Sequence, residues 1–407
     1  MVTMKERSSR SDPWKSISQV EYRSRSQALL EHQEERDLSG LVLFDSSYIL
    51  YYTGFAYIPT ERPIAFLLSA NGEHALFVPR LEVEHARGST GYQRIYHYEE
   101  YPHQTHPMEL LAGVLQDMGV RGPIGADTDG YPRVFGYRGA ALSRVTDQPV
   151  RPVSDCIEDQ MMVKSAAEIG LIRESVKWAN LAHHLLQRYT RVGITETEVS
   201  RRAGDEATLA MVSALGPHYQ AQSMTFDGAV ALYRGQIGRS AAIPHAMAGN
   251  ITFQREDVLV SGADAPMWGY HSELERTMSV GEPTSEQQRM FDHMLALQDT
   301  ALATIRPGVP CAEVDRSVRS YFGRRQLESY WRHHVGHAIG LRIHEGPFLD
   351  LGDPTEILPG MVFTVEPGLY APDLGGFRHS DTVLVTDDGI EVLTYYPRDL
   401  ESLIIPL

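Results

Sequence analysis

Residues 258–278 read VLVSGADAPMWGYHSELERTM. The two ends have the apolar, strand-like character of hairpin arms, and Gly269-Tyr270 supplies a turn between them. Asp264, Glu273 and Glu275 add carboxylates to those arms. Acids grouped in this way can hold a hard divalent ion, because several anions offset the cost of dehydrating it. Here the acids sit off the positions such a site would use. The stretch reads either as a metal site or as one emptied for other work.

The chain has 407 residues, too many for one ordinary core, which predicts two domains. A net charge of −16 argues against a nucleic-acid partner, since no excess of cations is available to neutralise phosphates. No apolar run is long enough to span a bilayer and no signal peptide is legible, so a cytoplasmic protein without a membrane partner is expected. The opening MVTMKERSSRSDPW is polar and is expected to fray. Cys156 and Cys311 are far apart and form no CxxC, so they read as small buried apolar residues.

Residues 20–37 predict a helix, followed by a strand at LVLFD (41–45). IAFLLS (64–69) and ALFVP (75–79) flank Asn71-Gly72 as a hairpin, and IGAD (124–127) predicts another strand. The texture changes near Lys164. Ser165 and Glu168 form a capping box, Thr195 and Glu198 a second one, and each opens a helical pattern. Gly193-Ile194-x-x-x-Glu198-Val199 recurs as Gly308-Val309-x-x-x-Glu313-Val314, each copy after a long helix and before a strand-rich segment. That order predicts a duplication whose halves pack around a central cleft. Domains are placed at 1–162 and 163–407.

Five segments carry the chemistry: IPHAMAGN (243–250), the hairpin quoted above, HHVGHAIGLRIHEG (333–346), VEPGLY (365–370) and GGFRHSDTVLV (375–385). Their order and content resemble the pita-bread family of methionine aminopeptidase, prolidase, aminopeptidase P and creatinase. The resemblance implies an α+β fold, with a duplicated pita-bread catalytic domain of pseudo-twofold halves after a smaller α/β N-terminal domain. In the family's peptidases Asp, Asp, His, Glu and Glu hold two metal ions. Carried over by motif, those positions are Ser261, Glu273, His337, Glu366 and Ser380. Two neutral hydroxyls cannot replace two carboxylates in a two-ion site. One ion on Glu273, His337 and Glu366 stays open, as does a contribution from Asp264.

Within the family, Glu273-Leu274-Glu275-Arg276-Thr277 is similar to the A-L-E-R-T of creatinase, which works without metal; the peptidases have Thr where Glu275 stands. The resemblance implies His245, Glu275 and His337 as catalytic residues. It implies Arg62, Glu273, His333, His344, Glu366 and His379 as substrate contacts, with Arg62 reaching across a homodimer. The expected function is therefore metal- and cofactor-free hydrolysis of a C–N bond in a small ectoine-like or creatine-like amidine or guanidino acid. His379, where creatinase has a second guanidinium-binding Glu, weakens the case for creatine itself. The alternatives are a metal-dependent Xaa-Pro dipeptidase and a non-catalytic pita-bread binding module. Each residue also has a plainer reading: Glu275 as an ion-pair partner of Arg276 or Arg378, Tyr370 as packing, and His334 facing away from His333.

Overall fold

Two compact units, Ile17–Met161 and Met162–Leu407, make up the computed structural model, which describes residues 16–89 and 94–407. The polar opening segment discussed above lies outside those residues. Among the described residues no helix is long and apolar enough to cross a membrane.

In the first unit, helix α1 (Gln19–Glu35) leads into strand β1 (Gly40–Leu43), whose four residues are all buried. Asp45 caps α2 (Ser46–Thr53), and Gly54, at φ 72°, ends it. Strands β2 (Ala65–Ser69) and β3 (His74–Pro79) pair antiparallel around the Asn71-Gly72 turn, with the Asn71 side chain accepting the Glu73 amide. Then follow α3 (Val83–Ser89), β4 (Ile95–Tyr98), α4 (Pro107–Asp117), β5 (Ile124–Ala126), α5 (Leu142–Thr146), β6 (Val150–Pro152) and α6 (Ser154–Met162). The strands form one mixed sheet in the order β4-β3-β2-β1-β5-β6. Side chains such as Val42, Leu67, Phe77, Leu111 and Ile124 form its core.

The second unit repeats one design. Helix α7 (Ala166–Tyr189) starts at the Ser165–Glu168 capping box, with both bonds present. Thr195 caps α8 (Glu196–Leu215) by accepting the Glu198 amide. Strands β7 (Val230–Leu232), β8 (Val258–Asp264) and β9 (Leu274–Val280) follow. The second pass has α9 (Ser285–Thr304), α10 (Cys311–Arg325), β10 (Gly336–Ala338), β11 (Glu345–Leu349) and β12 (Val362–Val365). After it come β13 (Gly368–Ala371), β14 (Gly375–Arg378), β15 (Asp381–Thr386), β16 (Gly389–Val392) and β17 (Ile404–Ile405).

The sequence repeat marks equivalent backbone joints. Gly193 and Gly308 adopt φ of 87° and 83°. Gly193 donates to Phe253 and Glu196 to Ile251, just as Gly308 donates to Ile357 and Cys311 to Thr355. The same helix–helix–strand unit is therefore built twice.

The two copies give a four-stranded sheet, β17-β9-β8-β7, and a five-stranded one, β11-β10-β12-β15-β16. One isolated antiparallel bridge joins them: Glu275 and Ser380 exchange both backbone hydrogen bonds at 3.0 Å. Behind that bridge lies Arg276, fully buried. Its five N–H groups find five acceptors: the carbonyls of Glu275, Ser380, Tyr396 and Pro397, and the Asp381 carboxylate at 2.7 Å. The Thr394 hydroxyl and Gln298 amide complete Asp381.

Burial alone would raise the Asp381 pKa, but Arg276 and Thr394 outweigh it and hold the carboxyl below its usual range. The pair's contribution is therefore fully present above the ordinary value of 3.8 and is lost as pH falls through the lower folded value. Arg276→Ala is expected to cost about 3–5 kcal/mol in denaturant unfolding at pH 7. The gap from the parent protein should narrow in strong acid. An unfolding midpoint unchanged at pH 7 would show that the bridge stands without this cation.

Candidate functional site

Strand alternation decides which side chains reach the cleft. On β9, Glu275 pairs with Gly262 of β8, and Arg276 pairs with Ser261. Cross-strand partners share a face. Glu275 and Gly262 therefore face the cleft, whereas Ser261 and Arg276 face the layer behind it. The Ser261 hydroxyl donates to the Arg276 carbonyl (3.0 Å) and accepts from His183 Nε2 (2.6 Å). This corrects the motif reading: the position of the lost first carboxylate, taken as Ser261, does not face the site. A shift of one residue along a strand exchanges faces, and the cleft-facing neighbour is a glycine.

Asp264 does not reach into the cluster either. Its carboxylate accepts from the Ala265 and Ser272 amides and lies 2.6 Å from His271 Nδ1. It fixes the loop between the strands, in which Trp268 and Gly269 both have positive φ, the signature of a tight hairpin turn.

Glu273 ends this loop. Its carboxylate accepts the Ser380 hydroxyl at 2.6 Å. Opposite stands His337 on β10, whose Nδ1–H is donated to the Ala338 carbonyl at 2.9 Å. That bond leaves Nε2 aimed at the carboxylates. The atom is buried and makes no hydrogen bond; Glu366 Oε1 lies 3.3 Å away. Glu366 follows β12 and is held by its own amide, which donates to the Val335 carbonyl. Glu273, His337 and Glu366 each offer a ligand atom, all within 4.8 Å of one another.

Burial and the neighbouring Glu366 raise Glu273 to about 8. Burial would lower His337, but the Glu366 and Glu273 carboxylates reverse this and lift it to about 9. Glu366 is held well below the usual carboxylate range, because His337 and Arg378 outweigh its burial. The cluster is an electrostatic sink for positive charge.

Glu275 has a different environment. Arg378 grips it through Nε and Nη2, and Arg234 Nη2 lies 2.8 Å from Oε1. The expected catalytic carboxylate is thus the centre of an ion cluster, with Arg378 rather than Arg276 as its partner. Arg378 also donates to the Tyr370 hydroxyl (3.0 Å), which lies 2.7 Å from His333 Nε2. Tyr370 is therefore a relay between two site residues and not packing alone.

A cavity of about 480 Å³ opens over these groups. Its wall brings together His245, His333, His344, Glu273, Glu275 and Glu366 from the sequence reading. His245 is exposed, and the His344 ring stacks on His337 at 3.8 Å between centroids. The Glu196 carboxylate accepts the Gly235, Gly249 and Ile251 amides and so anchors the loop that carries His245.

One expected residue lies elsewhere. His379 is fully buried, accepting the Thr277 amide at Nδ1 and facing the Arg398 carbonyl with Nε2, so it is a packing residue behind the sheet and not a substrate contact. Arg62 belongs to the first unit, where Glu100 and Glu61 hold its guanidinium at 2.6 Å each.

The sequence reading missed four polar wall residues, Arg234, Arg332, His334 and Arg378. Arg234 sits at a positive φ of 53°, which no local motif announces. His334 was expected to point away by period-two alternation. Residues 331–335 are irregular rather than extended, so that period does not apply.

Gly336 lets β10 approach β12. A Cβ there would stand 2.0 Å from the Thr364 carbonyl oxygen, a main-chain atom that cannot turn aside. Gly336→Ala is expected to destabilise the fold by about 1–3 kcal/mol in thermal unfolding. An unchanged midpoint would mean that the strands separate there without cost.

Comparison with known proteins follows the same lines. A family described as metallopeptidase family M24 matches residues 170–387, and the creatinase/prolidase N-terminal domain matches residues 25–163. An uncharacterized peptidase of Staphylococcus haemolyticus is 28% identical over 352 residues, covering 86% of this chain and 93% of that one. The structure of an Xaa-Pro dipeptidase from Bacillus anthracis is 26% identical, with a TM-score of 0.79, over 95% of this chain and 100% of that one. The dipeptidase PepE from Mycobacterium ulcerans is 25% identical, also at 0.79, over 96% and 100%.

These findings bear out the duplicated α+β pita-bread fold with its creatinase-type N-terminal domain. They overturn the expected metal-independent hydrolysis of an amidine or guanidino acid. The matched family is one of metallopeptidases, and these relatives are named as peptidases. The likeness of Glu275 to creatinase misled because one acidic residue was read as a mechanism. Its carboxylate is occupied by two guanidiniums.

Proposed function

Because the chain belongs to metallopeptidase family M24, we propose that it is a metal-assisted hydrolase of short peptides, of the Xaa-Pro dipeptidase type. The observation that carries this reading is His337. Its Nδ1–H is committed to a carbonyl, while its buried Nε2 makes no hydrogen bond and faces two carboxylates. A metal-ligating imidazole is typically fixed in this way, with the second nitrogen donating to a carbonyl. Glu273, His337 and Glu366 would hold the cation. Two carboxylates and an imidazole suit Zn²⁺, Mn²⁺ or Co²⁺. When bound there, such an ion supplies Lewis-acid stabilisation of negative charge developing on a carbonyl oxygen.

The chain's own groups do the rest. Arg234 and Arg332 on the cavity wall offer guanidiniums to a peptide carboxylate, which favours a substrate ending close to the scissile bond. His245, exposed on the wall, is placed to take a proton from the attacking water and return it to the leaving nitrogen. The 480 Å³ volume suits a dipeptide and not a folded chain.

Purified protein should cleave Xaa-Pro dipeptides in the presence of a divalent ion, lose that activity to a chelator and regain it on re-addition. His337→Ala should lower kcat/KM by at least about 100-fold. Full turnover after exhaustive chelation, or no Xaa-Pro cleavage with any of the three ions, would sink the reading.

A further inference from the structure

The side chains around the cluster speak to how many ions it holds. A two-ion hydrolytic centre keeps its cations about 3.5–4 Å apart and needs enough carboxylates to bridge and neutralise them. In this chain the neighbouring positions have been refilled. Gly262 faces the cleft without a side chain, and Ser261 beside it faces away. The Ser380 hydroxyl donates to Glu273 and carries no charge. Glu275 fills the space over Gly262, its Oε1 lying 3.5 Å from where a Cβ of that glycine would stand. Both Glu275 oxygens are engaged, Oε1 by Arg378 and Arg234, Oε2 by Arg378. The Arg378 guanidinium in turn lies 3.6 Å from Glu366 Oε2. The guanidinium thus stands between Glu275 and Glu366, and together with Arg234 it takes up the Glu275 charge that a second dication would need.

We propose that this chain binds one divalent cation per site, on Glu273, His337 and Glu366, and that the Arg378–Glu275 ion pair fills the place beside it, leaving no free carboxylate for a second ion. The proposal rests on the metal-assisted reading above, but it concerns stoichiometry and is tested by binding rather than turnover. The pair is ready-made: Arg378 is fully charged at any physiological pH, its fork matches the carboxylate geometry, and its other N–H groups go to the Tyr370 hydroxyl, the Pro244 carbonyl and Gln236 Oε1. The geometry also predicts a reversal. Gly262 has no positive φ, so a side chain is tolerated by its backbone, and the obstacle to a carboxylate there is Glu275 itself.

The test is titration of metal-free, full-length protein with Mn²⁺ by calorimetry, with metal content after desalting and the electron paramagnetic resonance spectrum of the loaded protein. One ion per chain and the six-line spectrum of an isolated Mn²⁺ are expected, both lost in Glu366→Gln and His337→Ala. The combined variant Gly262→Asp, Glu275→Thr, Ser380→Glu should move the stoichiometry from one to two and give an exchange-coupled spectrum. Two ions in the parent protein, or none, overturns the proposal, and so does a folded triple variant that still takes one. Should the triple variant fail to fold, the parent stoichiometry alone decides. A parent protein that binds one ion yet cleaves no Xaa-Pro peptide supports the single-ion centre and removes the peptidase reading instead.

Discussion

A single buried guanidinium organises the catalytic unit. Arg276 has no contact with solvent, so each of its five N–H groups must find a partner or cost the fold. Four of the acceptors are main-chain carbonyls from three separate stretches, 275, 380 and 396–397, and the fifth is Asp381. These stretches belong to different copies of the duplicated helix–helix–strand design and to the chain's closing segment. Without this hub the two sheets would meet through one isolated bridge and a few side-chain bonds, such as those of Ser380 and Thr382 with Glu273, each worth little net free energy. Everything in the cleft inherits its position from that joint. Glu273 and Glu275 hang from one side of it, Ser380 from the other, and Arg378 is two residues upstream.

The charge pattern in front of the joint divides into two parts. Glu275 is matched by Arg378 and Arg234 and is electrostatically spent. Glu273 and Glu366 face His337 Nε2, and the two carboxylates favour the charged imidazole while its Nδ1–H stays on the Ala338 carbonyl. The first part is neutralised by its own arginines; the second sets two carboxylates around one imidazole. Glu273, His337 and Glu366 each offer a ligand atom within 4.8 Å of the others, in the order that the resemblance to the family's peptidases implies.

Much of this was legible in the sequence where the signal is local. The Asn71-Gly72 hairpin, the Ser165–Glu168 box and the paired Gly193 and Gly308 each depend on backbone chemistry within a few residues, and each stands where the pattern put it. That Glu273, His337 and Glu366 belong to one site was legible because they sit in motifs with fixed spacing. The failures share a different cause. Ser261 was placed in the cleft because a motif gives a position but not a face, and only pairing with Arg276 fixes the face. His379 looked functional beside Arg378, yet it follows the end of β14 and its ring lies behind the sheet. Arg234 and Arg332 reach the cavity from loops with no periodicity to read. Glu275 misled most, since a carboxylate's chemistry depends on who already holds it, and both its holders are distant in sequence.

The way Arg276 makes its contacts has a consequence for how such a site can diverge. It grips residues 275 and 380 by their carbonyl oxygens, which every amino acid possesses. The scaffold is therefore blind to what those two residues display toward the cleft. Acid, hydroxyl or amide can be exchanged at either address while the weld between the sheets stays intact. A lineage carrying this hub can rewrite its reaction centre without first rebuilding its architecture.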